Sequence, residues 1–201
     1  TSDNVILKTI DQQPAIGICG SGLIDIVAEL LKCKIVDGTG RMLTSEEALA
    51  AGIHPSLASR ITGSAPDTVF RLTSLDAETD VFITQQDIRE VQLAKGAILA
   101  GIQTLMKTLD IQNENIDSIM IAGAFGNYIR IENALKIGLF PDIPLEKIIS
   151  IGNAAGAGAC MALLSDSSRN LASSIALNTE HIELSMNMDF QEFYIYAMNF
   201  K

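Results

Sequence analysis

Three short apolar runs in this sequence end in a glycine-rich turn that leads straight into a helical pattern. The three turns are Gly20-Ser21-Gly22, Gly123-Ala124-Phe125-Gly126 and Gly152-Asn153. A strand, a tight turn and a helix in this order are typical of α/β folds, whose ligands bind where strands end and helices begin. Glycine lets a ligand approach the backbone, and the free N–H groups of a helix start favour phosphate. The pattern therefore predicts an α/β fold with a nucleotide site.

Hydrophobic periodicity predicts the remaining elements. A helix is expected over residues 21–33, with Ser21 as its N-cap and Asp25 near the positive end of the helix dipole. A long amphipathic helix is expected after Thr84, and shorter helices over 131–137 and 154–164. Strands are predicted at 5–9, 15–19, 119–122, 148–151 and 181–185, and a polar hinge at 165–170.

Residues 35–82 differ in character from the rest of the chain. They hold the turn Asp37-Gly38-Thr39-Gly40, a short helical pattern at 45–51, and strand candidates at 70–73 and 81–84 that could pair. We interpret 35–82 as an inserted subdomain on a main unit made of 1–34 and 83–201. The chain opens in what looks like the middle of a domain, so we expect it to be a fragment.

Charge and cysteine usage exclude several classes of protein. The formal net charge is −10 without a basic cluster, which argues against nucleic acid as a partner. Cys19, Cys33 and Cys160 have no C-x-x-C spacing, which argues against a zinc site, an iron–sulfur site or a disulfide framework and favours the reducing cytoplasm. Asn153 and three glycines interrupt the most apolar stretch, 148–164, so no membrane span is expected.

Common catalytic motifs are missing from the sequence. There is no G-x-x-x-x-G-K-[ST] phosphate loop, no G-x-G-x-x-G dinucleotide fingerprint and no G-x-S-x-G nucleophile elbow. The two histidines, His54 and His181, have no metal-ligand spacing and suggest no Ser/His/Asp set. These absences exclude a Walker-type phosphate loop on this chain and give no support to a dinucleotide site.

The order of these features is similar to the second lobe of actin, the heat-shock chaperone ATPases and the sugar kinases. Within that actin-like ATPase (ASKHA) superfamily, four segments resemble the reductive activators of corrinoid proteins. They are GICGSGLID at 17–25, ITQQDIR at 83–89 with QLAKGAI at 92–98, AGAFGNY at 122–128 and GNAAGA at 152–157. The resemblance runs from about 17 to 164, and more weakly through 190 to 200. It implies a ribonuclease-H-like lobe with a mixed sheet flanked by helices.

The resemblance implies a set of nucleotide contacts. The loop at 121–126 would hold the adenosine, and the turn at 20–22 would lie against the ribose. The candidate nucleotide-binding residues are Gly20, Ser21, Gly22, Asp25, Gln92, Lys95, Gly123, Ala124, Phe125, Gly126, Asn127, Gly152 and Asn153.

The family reactivates corrinoid proteins or corrinoid-dependent methyltransferases. It uses ATP to make the reduction of Co(II) to Co(I) possible, with electrons from an N-terminal iron–sulfur domain. The resemblance thus implies ATP with Mg²⁺, and an [Fe–S] cluster in a domain that this chain lacks. The first ATPase lobe is also lacking, so the 201 residues alone are expected to be inactive. A homodimer is left open.

Other interpretations of the same residues stay open. The glycine turns could serve only for packing, and Lys95 could be a solvated helix residue. A lobe of a sugar or small-molecule kinase would share the fold, although no sugar pocket or catalytic carboxylate is evident. A non-catalytic binding module that has lost its nucleotide is the third alternative.

Overall fold

A computed structural model describes residues 4–74, 76–123, 126 and 128–201. Helix α1 spans Gly20–Lys32 and directs Ile24, Val27, Ala28 and Leu30 into the core. The segment before it contains a single 3-10 turn, Ile10–Gln12, and no strand among its described residues. The strands predicted at 5–9 and 15–19 are therefore wrong. Neither segment pairs with a described strand, and the positive φ angles of Asp11 and Gln12 place a turn between them.

The segment that follows α1 forms a small α+β unit. It contains α2 (Ser45–Ala50), α3 (Pro55–Ala58), β1 (Ile61–Thr62), β2 (Val69–Arg71) and β3 (Phe82–Thr84). The strands form an antiparallel sheet in the order β1-β2-β3, with Phe70 opposite Ile83. The predicted pairing of the two strand candidates is confirmed. The interpretation of 35–82 as an insertion stays a prediction.

Helix α4, Gln85–Thr108, is the longest helix of the described chain. Its start is fixed by a capping box, in which Thr84 accepts from the N–H of Asp87 and the Asp87 carboxylate accepts from the N–H of Thr84. The C-terminal helix α8, Met188–Ala197, packs along α4. A Cβ on Gly96 would lie 3.3 Å from the Tyr194 ring and 3.4 Å from the Met198 nitrogen. The backbone of the C-terminal segment thus approaches α4 closely at Gly96.

The remaining elements form a parallel unit. They are β4 (Ile119–Ala122), α5 (Ile131–Lys136), β5 (Ile148–Gly152), α6 (Ala154–Leu164) and α7 (Asp166–Leu177). Strands β4 and β5 pair in parallel, from Ile119 opposite Ile148 to Ala122 opposite Gly152. The polar hinge predicted at 165–170 is wrong, because only Ser165 interrupts the helices and its side chain caps α7. The strand predicted at 181–185 is absent as well.

The architecture is α/β, with the described strands divided between two small sheets. The core joins α1, the antiparallel unit, the start of α4 and the segment 129–148. Across the described ranges, none of the helices combines the length and the hydropathy needed to cross a bilayer.

Candidate nucleotide site

The two later glycine turns meet at the carboxyl ends of the parallel strands. The N–H of Gly123 donates to the carbonyl oxygen of Gly152 over 2.7 Å. Gly123 has a φ of 96° and Gly152 a φ of 64°, angles that favour glycine. A shift in register between Ile121 and Ala122 brings the two turns together. Gly123 and Gly152, which are far apart in the sequence, therefore lie side by side at the carboxyl-terminal edge of the β4/β5 sheet, called the glycine edge below.

Gly123 is open at this edge, whereas Gly126 is packed. Among the described residues, a Cβ on Gly123 would meet nothing within 4 Å, so they leave the backbone there open to a ligand. A Cβ on Gly126 would lie 2.5 Å from the Cγ2 atom of Ile121. The glycine at 126 is thus needed for packing, and the glycine at 123 leaves space. The predicted contacts Ala124, Phe125 and Asn127 lie outside the described residues.

Asn153 begins helix α6 beside this edge. Its side-chain oxygen accepts from the N–H of Gly156 over 3.0 Å and so caps the helix. A Cβ on Gly156 would lie 2.5 Å from the Asn153 amide nitrogen, which explains the glycine there. The Asn153 side chain is engaged in the cap, and Asn153 directly follows Gly152 in the chain.

The first glycine turn forms the first turn of α1. Cys19, and not Ser21, is the N-cap residue, and its side chain makes no capping bond. The N-cap prediction for Ser21 is therefore wrong, because the helix starts one residue earlier than the pattern indicated. The Ser21 hydroxyl lies 3.5 Å from the Cys19 sulfur. This hydroxyl, followed by the backbone N–H of Gly22, lowers the pKa of the Cys19 thiol.

Asp25 joins α1 to the start of α5. Its Oδ1 accepts from the Asn133 side chain over 2.6 Å, and its Oδ2 lies 3.4 Å from Arg130 Nε. The carboxylate thus has two protein partners in this structure. Its role as a nucleotide contact stays a prediction.

Gln92 is buried between a loop and the C-terminal segment. Its Nε2 donates to the carbonyl oxygens of Thr39 and Met198, over 3.0 and 2.9 Å. Its Oε1 accepts from Arg89 Nη1 over 2.7 Å, and Arg89 also donates to the Thr39 carbonyl. All polar atoms of the Gln92 side chain therefore have protein partners.

Lys95 lies one turn further along α4 and is 2% exposed. Its ammonium donates to the Asn199 carbonyl oxygen and sits 5.1 Å from the centre of the Phe200 ring. Burial first, and then the nearby charge of Lys201, lower the pKa of Lys95 from 10.5 to about 8. The alternative that Lys95 is a solvated helix residue is wrong. Its assignment to the nucleotide stays a prediction.

The candidate residues thus fall into three groups. Gly123, Gly152 and Asn153 share one edge, the turn at 20–22 opens α1, and Gln92 and Lys95 hold the C-terminal segment. The sequence did not predict that Gln92 and Lys95 bind this segment. Their partners are the backbone carbonyls of Met198 and Asn199, which no sequence pattern reveals. The signal that could have revealed it was the position of Gln92 and Lys95 in the middle of the helix, next to Val91 and Gly96, which are buried on the same helix.

The described residues contain no group of three or more His, Cys, Asp or Glu that could hold a metal ion. Cys19 and Cys160 are exposed, Cys33 is half-buried, and all three are free thiols. An iron–sulfur cluster therefore does not fit the described part of the chain.

A parallel strand pair whose glycine turns meet at one edge, next to a helix start, has the local geometry of a nucleotide site in an α/β protein. Comparison with known proteins narrows this class. All residues, 1–201, match the family model described as the C-terminal domain of RACo, the ASKHA domain. The chain belongs to this family, and its expected actin-like α/β class is confirmed.

Individual relatives agree with the family. The corrinoid activation enzyme RamQ of Eubacterium limosum is 36% identical over 195 residues, covering 96% of this chain and 32% of RamQ. The [Co(II) methylated amine-specific corrinoid protein] reductase of Methanosarcina barkeri is 25% identical over 188 residues, covering 92% and 29%. A solved reductive activator for corrinoid, iron–sulfur protein superposes with a TM-score of 0.83 at 32% identity, covering 98% and 32%. The chain thus spans about a third of these relatives.

Proposed function

We propose that this chain is the ATP-binding lobe of a reductive activator that returns the Co(II) form of a corrinoid protein to Co(I). The observation that carries the proposal is the family match over the whole chain. The open glycine edge of Gly123 and Gly152 supports a nucleotide, because the backbone is accessible there without a Cβ in the way. No observation favours the sugar-kinase alternative.

The iron–sulfur cluster, the phosphate loops and the Mg²⁺ site would belong to other parts of the full-length protein. We propose that an N-terminal iron–sulfur domain delivers one electron per cobalt, and that a first ATPase lobe provides the phosphate loops and the Mg²⁺ site. The partner would be a corrinoid protein or a corrinoid-dependent methyltransferase in the cytoplasm.

The role of this lobe would be conformational. Its glycine edge would hold the adenosine, and closure of two lobes around ATP would favour one geometry of the docked partner. ATP can shift that equilibrium only by the difference in its affinity for the open and the closed state. The edge must therefore bind the nucleotide better when the lobes are closed.

The nucleotide edge can be tested by calorimetric titration of the full-length protein with ATP. We expect Gly123→Val to weaken binding at least about tenfold, since a branched side chain would fill the open approach. Gly52→Val is the matched control: Gly52 also has a positive φ, 78°, and open space, but it lies after α2. Equal affinities of the two folded variants would contradict the assignment of the adenosine to Gly123.

A further inference from the structure

Side chains connect the turn at 20–22 with the segment that leaves the glycine edge. The turn opens helix α1, and Asp25 lies one turn further along that helix. The chain that leaves Gly123 leads into α5, whose N-cap residue is Arg130. Asp25 Oδ1 accepts from the Asn133 side chain over 2.6 Å, and Asp25 Oδ2 lies 3.4 Å from Arg130 Nε. One carboxylate therefore joins the helix behind the first turn to the helix behind the glycine edge.

The hydrogen bond between Asp25 and Asn133 is the stronger part of this connection. The Asp25 side chain is 29% exposed and Asn133 is half-buried, whereas the Arg130 side chain is 56% exposed. A hydrogen bond to an ionised acceptor is about twice as strong as one between neutral groups. An ion pair that is open to water contributes little. Asn133 is therefore the main partner of Asp25, and Arg130 is a secondary one.

Both ends of the connection are anchored in the core. Ile24, the neighbour of Asp25, is buried, as are Ile129 and Ala134 on either side of the α5 start. Helices α1 and α5 also pack against each other. Because the flanking residues are held in place, the hydrogen bond fixes the position of one turn relative to the other.

We propose that Asp25 is a positioning residue, which acts through Asn133 to set the distance between the turn at 20–22 and the glycine edge so that both contact one ATP. This inference rests on the proposed nucleotide function and assigns Asp25 a different role from the direct contact that the resemblance implied. Both carboxylate oxygens face protein groups. A site whose parts are already ordered binds more tightly, because binding does not have to order them.

A direct contact between Asp25 and a ribose hydroxyl is the competing role. That role requires the carboxylate itself at position 25. A positioning role requires only a donor and an acceptor that face each other at 25 and 133, in either order. An exchange of the two side chains therefore separates the roles. Asp is compatible with position 133, because this position lies in the first turn of α5, where a negative charge is favourable.

The full-length protein would be titrated calorimetrically with ATP below the Tm of every variant. Asn133→Asp places a second carboxylate against Asp25, and Asn133→Leu removes the donor. We expect each of them to weaken ATP binding at least about fivefold, because the two turns are no longer held at the right distance. The double variant Asp25→Asn/Asn133→Asp restores a donor and an acceptor, and should bind ATP within about twofold of the wild type.

Glu29→Gln is the matched control. Glu29 lies one turn beyond Asp25 on α1, and its exposed carboxylate pairs with Lys32 over 3.4 Å. This pair connects no other element, so the affinity for ATP should stay within about twofold of the wild type.

The outcomes separate this inference from the proposed function. If the wild type binds ATP and both Asn133 variants bind it equally well, the positioning role is wrong and the proposed function stands. Affinity that is lost in Asn133→Asp and not regained by the exchange would assign the Asp25 carboxylate to the nucleotide itself. A lower Tm with unchanged affinity would make the connection purely structural, and would also overturn the inference. A wild type that does not bind ATP would overturn the proposed function and this inference with it.

Discussion

Lys95 holds the C-terminal segment through Asn199 and Phe200, and its buried charge makes these contacts costly. Its ammonium is buried, and no carboxylate within ion-pair distance is found among the described residues. It is met by a carbonyl oxygen, an aromatic face and the like charge of Lys201. A buried cation without a counter-ion is expensive, which is why the pKa of Lys95 falls to about 8.

This cost makes the free energy of unfolding depend on pH. The folded pKa of Lys95, about 8, lies below its ordinary value of 10.5, so between these values the unfolded state binds more protons. The stability of the wild type should therefore rise with pH across this window. Lys95→Met removes the titration. As the pH rises, the free energy of unfolding of the wild type should increase relative to that of Lys95→Met. The expected increase is up to about 1.4 kcal/mol per pH unit.

Denaturant unfolding at several pH values from 7 to above 10 would measure this difference. Lys107→Met is the control, since Lys107 lies on the same helix but is exposed and pairs with Asp189 over 2.8 Å. Its pH profile should run parallel to that of the wild type. A parallel profile for Lys95→Met would show that the ammonium is not desolvated.

Gln85 also connects elements, since it ties the loop after α1 to the start of α4. It is 8% exposed; its Oε1 accepts from the N–H of Met42, and its Nε2 donates to the carbonyl of Gly40, both over 2.7 Å. One amide side chain thus satisfies two backbone groups of the loop.

Gln85→Ala should therefore leave two buried backbone groups without partners. We expect the free energy of unfolding to fall by about 2–4 kcal/mol. The neighbour Gln86 is exposed, and its side chain bonds to Glu90 across one helical turn, so Gln86→Ala should cost less than about 0.5 kcal/mol. Equal losses measured in urea titrations of the two variants would mean that the Gln85 contacts do not stabilise the loop.

Elements with strong local signals could be predicted from the sequence, and those that depend on distant partners could not. Thr84 and the amphipathic stripe after it identified α4, and the strands β4 and β5 were found from their apolar runs. The runs at 5–9 and 15–19 have similar composition, but the described chain offers them no partner strand, so they remain extended segments. Helix α7 was missed because its serines and Asn170 favour turns locally, while Ser165 caps a helix instead.

At the scale of the whole molecule, the sequence predicted the family and part of the candidate site. The meeting of Gly123 and Gly152 follows from the rule that parallel strands end at one edge, although neither turn alone specifies the other. The burial of Gln92 and Lys95 against Met198 and Asn199 could not be predicted, because the contact joins side chains to backbone carbonyls more than a hundred residues away.

The central claim is that nucleotide at this glycine edge drives corrinoid reduction. Full-length protein would be mixed with a reductant, ATP and a cognate Co(II) corrinoid protein, and the visible spectrum of the cobalt would be followed. We predict Co(I) formation that requires ATP, is slowed at least about tenfold by Gly123→Val at sub-saturating ATP, and is retained by Gly52→Val. Formation of Co(I) at the same rate without ATP, or phosphorylation of a sugar while the cobalt stays Co(II), would contradict the account.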